Sequence, residues 1–497
     1  MRGTELTPEL AACVDEIRQH AVDFGLDFFE VLFELIDYDE MNMIAAYGGF
    51  PTRYQHWKFG MDYEELRKGY AYGLQKIYEL VINNDPCYAY LMRCNNLVDQ
   101  KMVMAHVYGH SDFFKCNYWF GATNRKMMDE IANHGVRIRR YVERFGQDAV
   151  ESFLDSCLSL DNLIDIHSPF IRRRESKSRK DRETIPQSVH APRMKSKSYM
   201  DNFINPPDYL EAERDRLIEE LERQKNFPEE PQKDVLLFLI ENARLERWQR
   251  DILSIVREEA YYFAPQGMTK IMNEGWASYW HSTIMTEKAA TAAEIIDFAD
   301  HHSRTMSMQP GQLNPYKVGL ELFRDIEDRW NRGRYGPEWE SCDDYSRKAT
   351  WDTHEGKGRE KIFEVRRIHN DVTFIDEFLT REFCRENKLF TYAFNKQTQE
   401  FVIDDREFRA VKDKLLFGLT NMGQPVIYVE DGNFMNRGEL LLRHEFAGMP
   451  LQHSHARDTL VNLFHLWGRP VHIKTRVDKR TKILSYDGVK HEEKIVK

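Results

Sequence analysis

Two segments far apart in the chain mix metal-ligand residues with large aromatics: Met104-Ala-His-Val-Tyr-Gly-His110-Ser-Asp-Phe-Phe and Asn273-Glu-Gly-Trp-Ala-Ser-Tyr-Trp-His281. His106 and His110 are four apart, so on a helix both imidazoles leave one face about one turn apart and can reach one metal ion. Glu274 and His281 are seven apart and share a face of a second helix. Pooled, His106, His110 and Glu274 form a three-ligand set with room for a fourth, as in catalytic zinc sites. A zinc or another divalent metal held there acidifies water and polarises a carbonyl. In the metallopeptidase signature H-E-x-x-H, the residue after the first histidine is the general base. Here it is Val107, so a base must come from elsewhere, and His281, on the face of Glu274, is the nearest candidate for that catalytic role.

The same residues admit other readings. Two histidines can be buried in an aromatic core on backbone or carboxylate partners, with Glu274 in a buried salt bridge and Trp276, Tyr279 and Trp280 as packing. A carboxylate bundle of di-iron type could draw on Asp99, His106 and His110, then Asp129, Glu130 and His134, then Glu258 and Glu259, then Glu274, but the paired Glu-x-x-His repeats that define such bundles are missing. His301-His302 reads as a helix end whose charge complements the dipole. The C-terminal histidines 444, 453, 455, 465 and 472 read as capping and packing residues. No G-x-G-x-x-G, Walker, G-x-S-x-G or kinase set occurs.

The elements that must position the two segments are mostly helical. From Thr7 to about Asn162 the apolar period is 3.6, as in Glu9 to Phe24 and Asp129 to Phe145, with breaks at residues 47–51 and 83–86. Val98 to Phe114 is expected as the helix that carries the histidines. Residues 168–208 differ in kind, with the basic run Arg172 to Arg182 followed by Pro186, Pro192, Pro206 and Pro207, and read as a flexible insertion. Acidic helices follow from Pro207 to Gln224 and from Pro231 to Phe263. Pro265-Gln-Gly267 is expected to end the second, just before the helix bearing Glu274. A helix follows Asn314-Pro315, then a loop from Trp330 to Trp339, then helix to about Asn387. From Lys388 the period changes to a hairpin (390–394 with 400–403), a helix (405–419), strands at 425–429 and 439–443, a helix (456–467) and a strand (471–475). The fold class is thus mainly α: a large helical domain, zincin-like in its metal set, followed by a small α+β C-terminal domain. The expected divisions are 1–167, 168–208, 209–387 and 388–497.

The 497 residues exceed one ordinary core, and 42% hydrophobic with 30% charged residues is a globular composition. A net charge of -11 argues against broad nucleic-acid binding. Seven scattered cysteines without a C-x-x-C pair read as buried reduced thiols. No stretch approaches 18 apolar residues and the N-terminus has no targeting pattern, so no membrane segment and a cytoplasmic location are expected.

Several long motifs carry a resemblance: residues 106–115, His134-Gly-Val-Arg-Ile-Arg-Arg-Tyr141, Phe153-Leu-Asp-Ser-Cys-Leu-Ser-Leu160, Pro265 to His281 and Asn314-Pro-Tyr-Lys-Val-Gly319. In this order they resemble the stage V sporulation protein R family, the SpoVR-like proteins of bacteria, over nearly the whole chain. The basic insertion is its least typical part. The resemblance implies a link to spore cortex formation or, in bacteria that make no spores, to a stress response beside kinase-like and von Willebrand-type partners. It brings no assigned reaction. Two functions are therefore expected from the residues: a metal-dependent hydrolase or amidase for a small or peptide-like substrate, or a non-enzymatic regulatory or adaptor protein. Clustered His, Glu and aromatics favour the first, and Val107 favours the second.

Overall fold

The structure, a computed structural model, describes residues 5–71, 79–171, 193–197, 200–225, 227–308, 311–395 and 399–496. The basic run 172–182 lies outside them. The chain forms two compact units, one from Met1–Phe145 with Tyr261–Gly423 and the other from Gly146–Ala260 with Gln424–Lys497. The divisions expected from composition follow chain order, whereas packing interleaves distant stretches. Residues 388–423 accordingly pack with the helical unit.

The first unit is built around the helix Leu97–Cys116, which Asn96 caps by accepting from the Asp99 backbone N–H at 2.7 Å. From Val98 to Phe114 every side chain except Met102 is buried, the mark of a helix enclosed on all sides. The helix Lys270–Ile284 packs on it, and the helix Pro315–Asn331 packs on that in turn. Backbone meets backbone at both crossings. A Cβ on Gly109 would stand 2.7 Å from the Ala277 Cα, and one on Gly319 would stand 2.1 Å from the Ile271 carbonyl oxygen. Side chains at these positions would part the helices.

Three strands in this unit depart from the helical expectation for residues 7–162. Cys87–Met92 lies between Val31–Ile36, its parallel partner, and Glu79–Ile82, its antiparallel partner. Cys-Tyr-Ala-Tyr-Leu-Met is an unbroken apolar run with five of its six residues buried, so it has none of the alternation that marks a half-exposed strand. A second correction concerns Pro265-Gln-Gly267. The helix Arg247–Met268 runs through Pro265, and the break comes at Thr269, whose hydroxyl donates to the Pro265 carbonyl at 2.7 Å. The hairpin Thr391–Asn395 with Glu400–Asp405 forms as expected and is followed by the helix Phe408–Leu419.

The second unit carries a five-stranded sheet in the order His491–Ile495, Arg480–Tyr486, Val471–Val477, Glu439–His444, Ile427–Phe434. All neighbours are antiparallel except Glu439–His444 with Val471–Val477, which the helix His453–Trp467 connects as a crossover. That helix ends at Gly468 with φ 74°, the left-handed position glycine fills without strain. Histidines on the sheet strands satisfy neighbours: His444 Nδ1 is 2.9 Å from Thr475 Oγ1, and His472 lies between Ser485 at 2.8 Å and Glu439 at 2.9 Å.

Candidate metal centre

The close crossings set the distances at the centre of the first unit. His106 and His110 stand one above the other, with ring centroids 4.5 Å apart and planes at 87°. Glu274 Oε2 comes from the neighbouring helix to 3.6 Å from His106 Nε2 and 3.5 Å from His110 Nε2. One ligand-type atom from each residue lies within 4.8 Å of the others. The two segments thus converge on the three residues whose spacing suggested a metal site. Glu274 Oε2 is buried and has no partner at ordinary hydrogen-bond distance among the described residues.

Asn273 fixes the orientation of His110. Its Oδ1 lies 3.0 Å from His110 Nδ1, so with the amide oxygen as acceptor the Nδ1–H donates and the lone pair of Nε2 faces Glu274. His106 Nδ1 is 2.8 Å from His281 Nδ1, and His281 Nε2 is 3.1 Å from His302 Nδ1. Two neutral tautomer patterns satisfy this chain of rings. Only the one in which His106 Nδ1–H donates leaves the Nε2 lone pair for a cation.

The electrostatics favour the neutral form of His110, His281 and His302. Burial, with His106 nearby, lowers His110 to about 4. Burial and the neighbouring rings push His281 well below the ordinary range, and burial with Arg324 takes His302 to about 4. Neutral imidazole is the form that binds metals. Burial pushes the Glu274 carboxyl up, but His106, His110 and Tyr316 outweigh it, so the net shift is downward and the carboxylate is ionised.

His281 therefore stands behind His106, away from Glu274, and is not among the residues lining the cavity onto which the centre opens. That cavity, about 430 Å³, is lined by His110, Glu274, Asn273, Tyr316, Phe114 and Lys270 among others. Spacing alone missed Asn273, Tyr316 and His302. Asn273 adjoins Glu274 and offered a weak signal, whereas His302 and Tyr316 reach the centre only through packing. Asp99, one of the ligands in the carboxylate-bundle reading, pairs with His301 instead. Trp276 and Trp280 are fully buried and stack edge-on with each other and with Phe363, so the aromatics of the second segment are core.

Two buried carboxylates hold the frame. Asp112 accepts from Trp276 Nε1 at 2.7 Å and from the Asp27 backbone N–H at 2.8 Å, and it lies 3.4 Å from Arg366. It thereby ties the two segments together. Asp371 accepts from the Ile271 and Met272 N–H groups at 2.8 and 2.9 Å, capping the glutamate helix from a hundred residues away. Burial raises its carboxyl from 3.8 to about 7 despite those donors. Between about pH 4 and 7 the folded chain therefore binds this proton more tightly than the unfolded chain, and stability falls as pH rises through the window. Asp371→Asn, measured by denaturant unfolding at pH 4.5 and 7.5, is expected to flatten that fall. An unchanged difference between the two pH values would contradict it.

Fold and centre together define a mainly helical protein whose two distant motifs join in a buried His-His-Glu cluster. The chain belongs to the SpoVR family: the model described as SpoVR like protein matches residues 5–424, and the SpoVR-like C-terminal domain matches residues 425–478. A relative from Escherichia coli (strain K12), named Uncharacterized protein YcgB, is 31% identical over 496 residues, covering 91% of this chain and 89% of the relative. No solved structure matches the chain. No helix among the described residues is long and apolar enough to cross a membrane.

Proposed function

We propose that this SpoVR-family protein is a metal-dependent hydrolase or amidase, zincin-like in its ligand set, with His106, His110 and Glu274 holding one zinc or similar divalent ion. One observation carries the reading. With Nδ1–H committed to Asn273, His110 Nε2 presents a lone pair to an ionised Glu274 oxygen 3.5 Å away, acceptor against acceptor in a buried site. A cation resolves that conflict.

The bound ion supplies Lewis acidity, polarising a substrate carbonyl and lowering the pKa of water beside it. The chain's own residues do the rest. Asn273 and His281 orient the two ligand histidines through their Nδ1 atoms. Tyr316, stacked on His106 with centroids 6.1 Å apart, lines the cavity and donates its hydroxyl to Glu274, holding that ligand in place. Lys270 offers a cation to an anionic substrate group, and the cavity suits a small or peptide-like molecule. His302, at the far end of the ring chain, extends the path by which His281 can move a proton relative to His106.

A regulatory or adaptor role is favoured by one feature: Glu274 is the sole carboxylate among the described residues lining the cavity, so no separate carboxylate base stands beside it. The spore-cortex or stress context and the kinase-like and von Willebrand-type partners of the family fit either role.

The test is elemental analysis of purified protein after dialysis against zinc. One equivalent per chain is expected, with loss of the ion in folded His110→Ala. A folded, metal-free wild type would sink the proposal. His281→Leu is expected to weaken metal affinity by about 10 to 100-fold, the usual effect of losing a partner of a ligand histidine, and competition with a chelating dye measures it. Unchanged affinity would remove His281 from the centre.

A further inference from the structure

A second cavity in the first unit, about 400 Å³, is walled by the start of the helix Pro315–Asn331, by the segment from Asn387 to Tyr392 and by the helix Phe408–Leu419. Lys317, Lys388 and Lys414 line it, and no carboxylate does among the described residues. The chain as a whole carries 81 acidic residues against 70 basic ones. Three cations without an anion on one concave wall therefore make a local positive potential that runs against the net charge. None of the three lysines has an ion-pair partner among the described residues. Between the lysines the wall is apolar and aromatic, with Leu389, Phe390, Val411 and Leu415 beside Tyr392.

The backbone at Lys388 is an independent sign. It follows the helix Arg381–Glu386 and its C-cap Asn387, at the position where a helix-ending turn goes left-handed. Leu389 N–H returns to the Cys384 carbonyl at 2.8 Å, and Lys388 has φ 54°. Glycine adopts this conformation without strain, whereas a lysine does not. Strain retained at a cavity wall is explained when the side chain there is needed. Lys317 sits in the first turn of a 17-residue helix, where the partial positive charge of the N-terminus adds to its own.

We infer that this cavity binds a small organic phosphate. Its phosphate head is held by the three ammonium groups, and its planar or apolar body lies against Phe390, Tyr392 and Leu415. Lysine meets phosphate as a mobile point charge, and a head carrying two or three charges matches three lysines better than a single carboxylate does. No residue lining this cavity lines the cavity at the metal centre.

Isothermal titration calorimetry of the full chain with ADP, and separately with inorganic diphosphate, tests it. ADP is expected to bind, to weaken with added salt, and to weaken at least about tenfold in the Lys317→Gln, Lys414→Gln double variant. Inorganic diphosphate, lacking the body, is expected to bind at least about tenfold more weakly than ADP. Lys388→Gly is expected to raise Tm, because the left-handed turn is relieved, while weakening ADP. That pairing separates a binding lysine from a structural one. Wild type that ignores ADP, variants that bind ADP as well as wild type does, or diphosphate that binds as tightly as ADP would each overturn the assignment.

Discussion

Glu274→Gln is expected to abolish stoichiometric metal binding and yet leave the metal-free chain as stable as wild type or more so. The affinity loss should exceed the roughly 10 to 100-fold that follows from losing a mere partner of a ligand, because an anionic ligand is itself removed. The stability prediction comes from the acceptor conflict. An amide keeps the shape of the carboxylate but can turn an N–H toward His110 Nε2, which stands 3.5 Å from the present oxygen, so a buried repulsion becomes a hydrogen bond. The rival reading, a buried salt bridge between Glu274 and protonated histidine, predicts the opposite. Removing one member of such a pair destabilises by about 3–5 kcal/mol. Denaturant unfolding of both proteins in a strong chelator decides between them: a large loss of stability in the variant would favour the salt bridge and end the metal assignment.

Gly319→Ala should destabilise the first unit by about 3 kcal/mol, the upper part of the usual range for overpacking, and should weaken metal binding as well. The added Cβ would meet the Ile271 carbonyl oxygen at 2.1 Å and the Gly275 Cα at 2.6 Å, both backbone atoms that cannot swing away. Relief requires the helices Lys270–Ile284 and Pro315–Asn331 to separate, and the first of these carries Glu274. Gly60, in the helix Trp57–Ala71, is the control. A Cβ there meets nothing within 4 Å, so Gly60→Ala should be neutral or stabilise by up to about 1 kcal/mol through helix propensity. Thermal unfolding with and without zinc reads both effects. Equal behaviour of the two alanine variants would show that the tight crossing is not what positions the centre.

The His-His-Glu cluster was legible because helical periodicity puts residues i and i+4 on one face whatever surrounds them, so His106 and His110 declared themselves as a pair. The hairpin at 391–405 and the sheet strands near 427 and 471 were legible for the corresponding reason, a change of period after Lys388. The strand Cys87–Met92 was not, because burial on both faces erases alternation. Nor was the end of the helix at Met268, since Pro265 is accommodated inside it and Thr269 closes the turn instead.

The partners of the candidate ligands belong to a different category. Asp371 capping Ile271, Asp112 holding Trp276, His302 behind His281 and Lys388 beside Lys414 join residues separated by 21 to 164 positions. By itself, then, the sequence determined which side chains could serve as metal ligands, that helices would carry them and which family they mark. The tertiary structure decided that Glu274 lies 3.5 Å from His110 Nε2 and that His281 turns to His106. It also decided that three lysines line one cavity. These are facts of distance between elements. Such distances are set by how closely two backbones can approach, at Gly109, Gly275 and Gly319, and no local pattern of residue types encodes them.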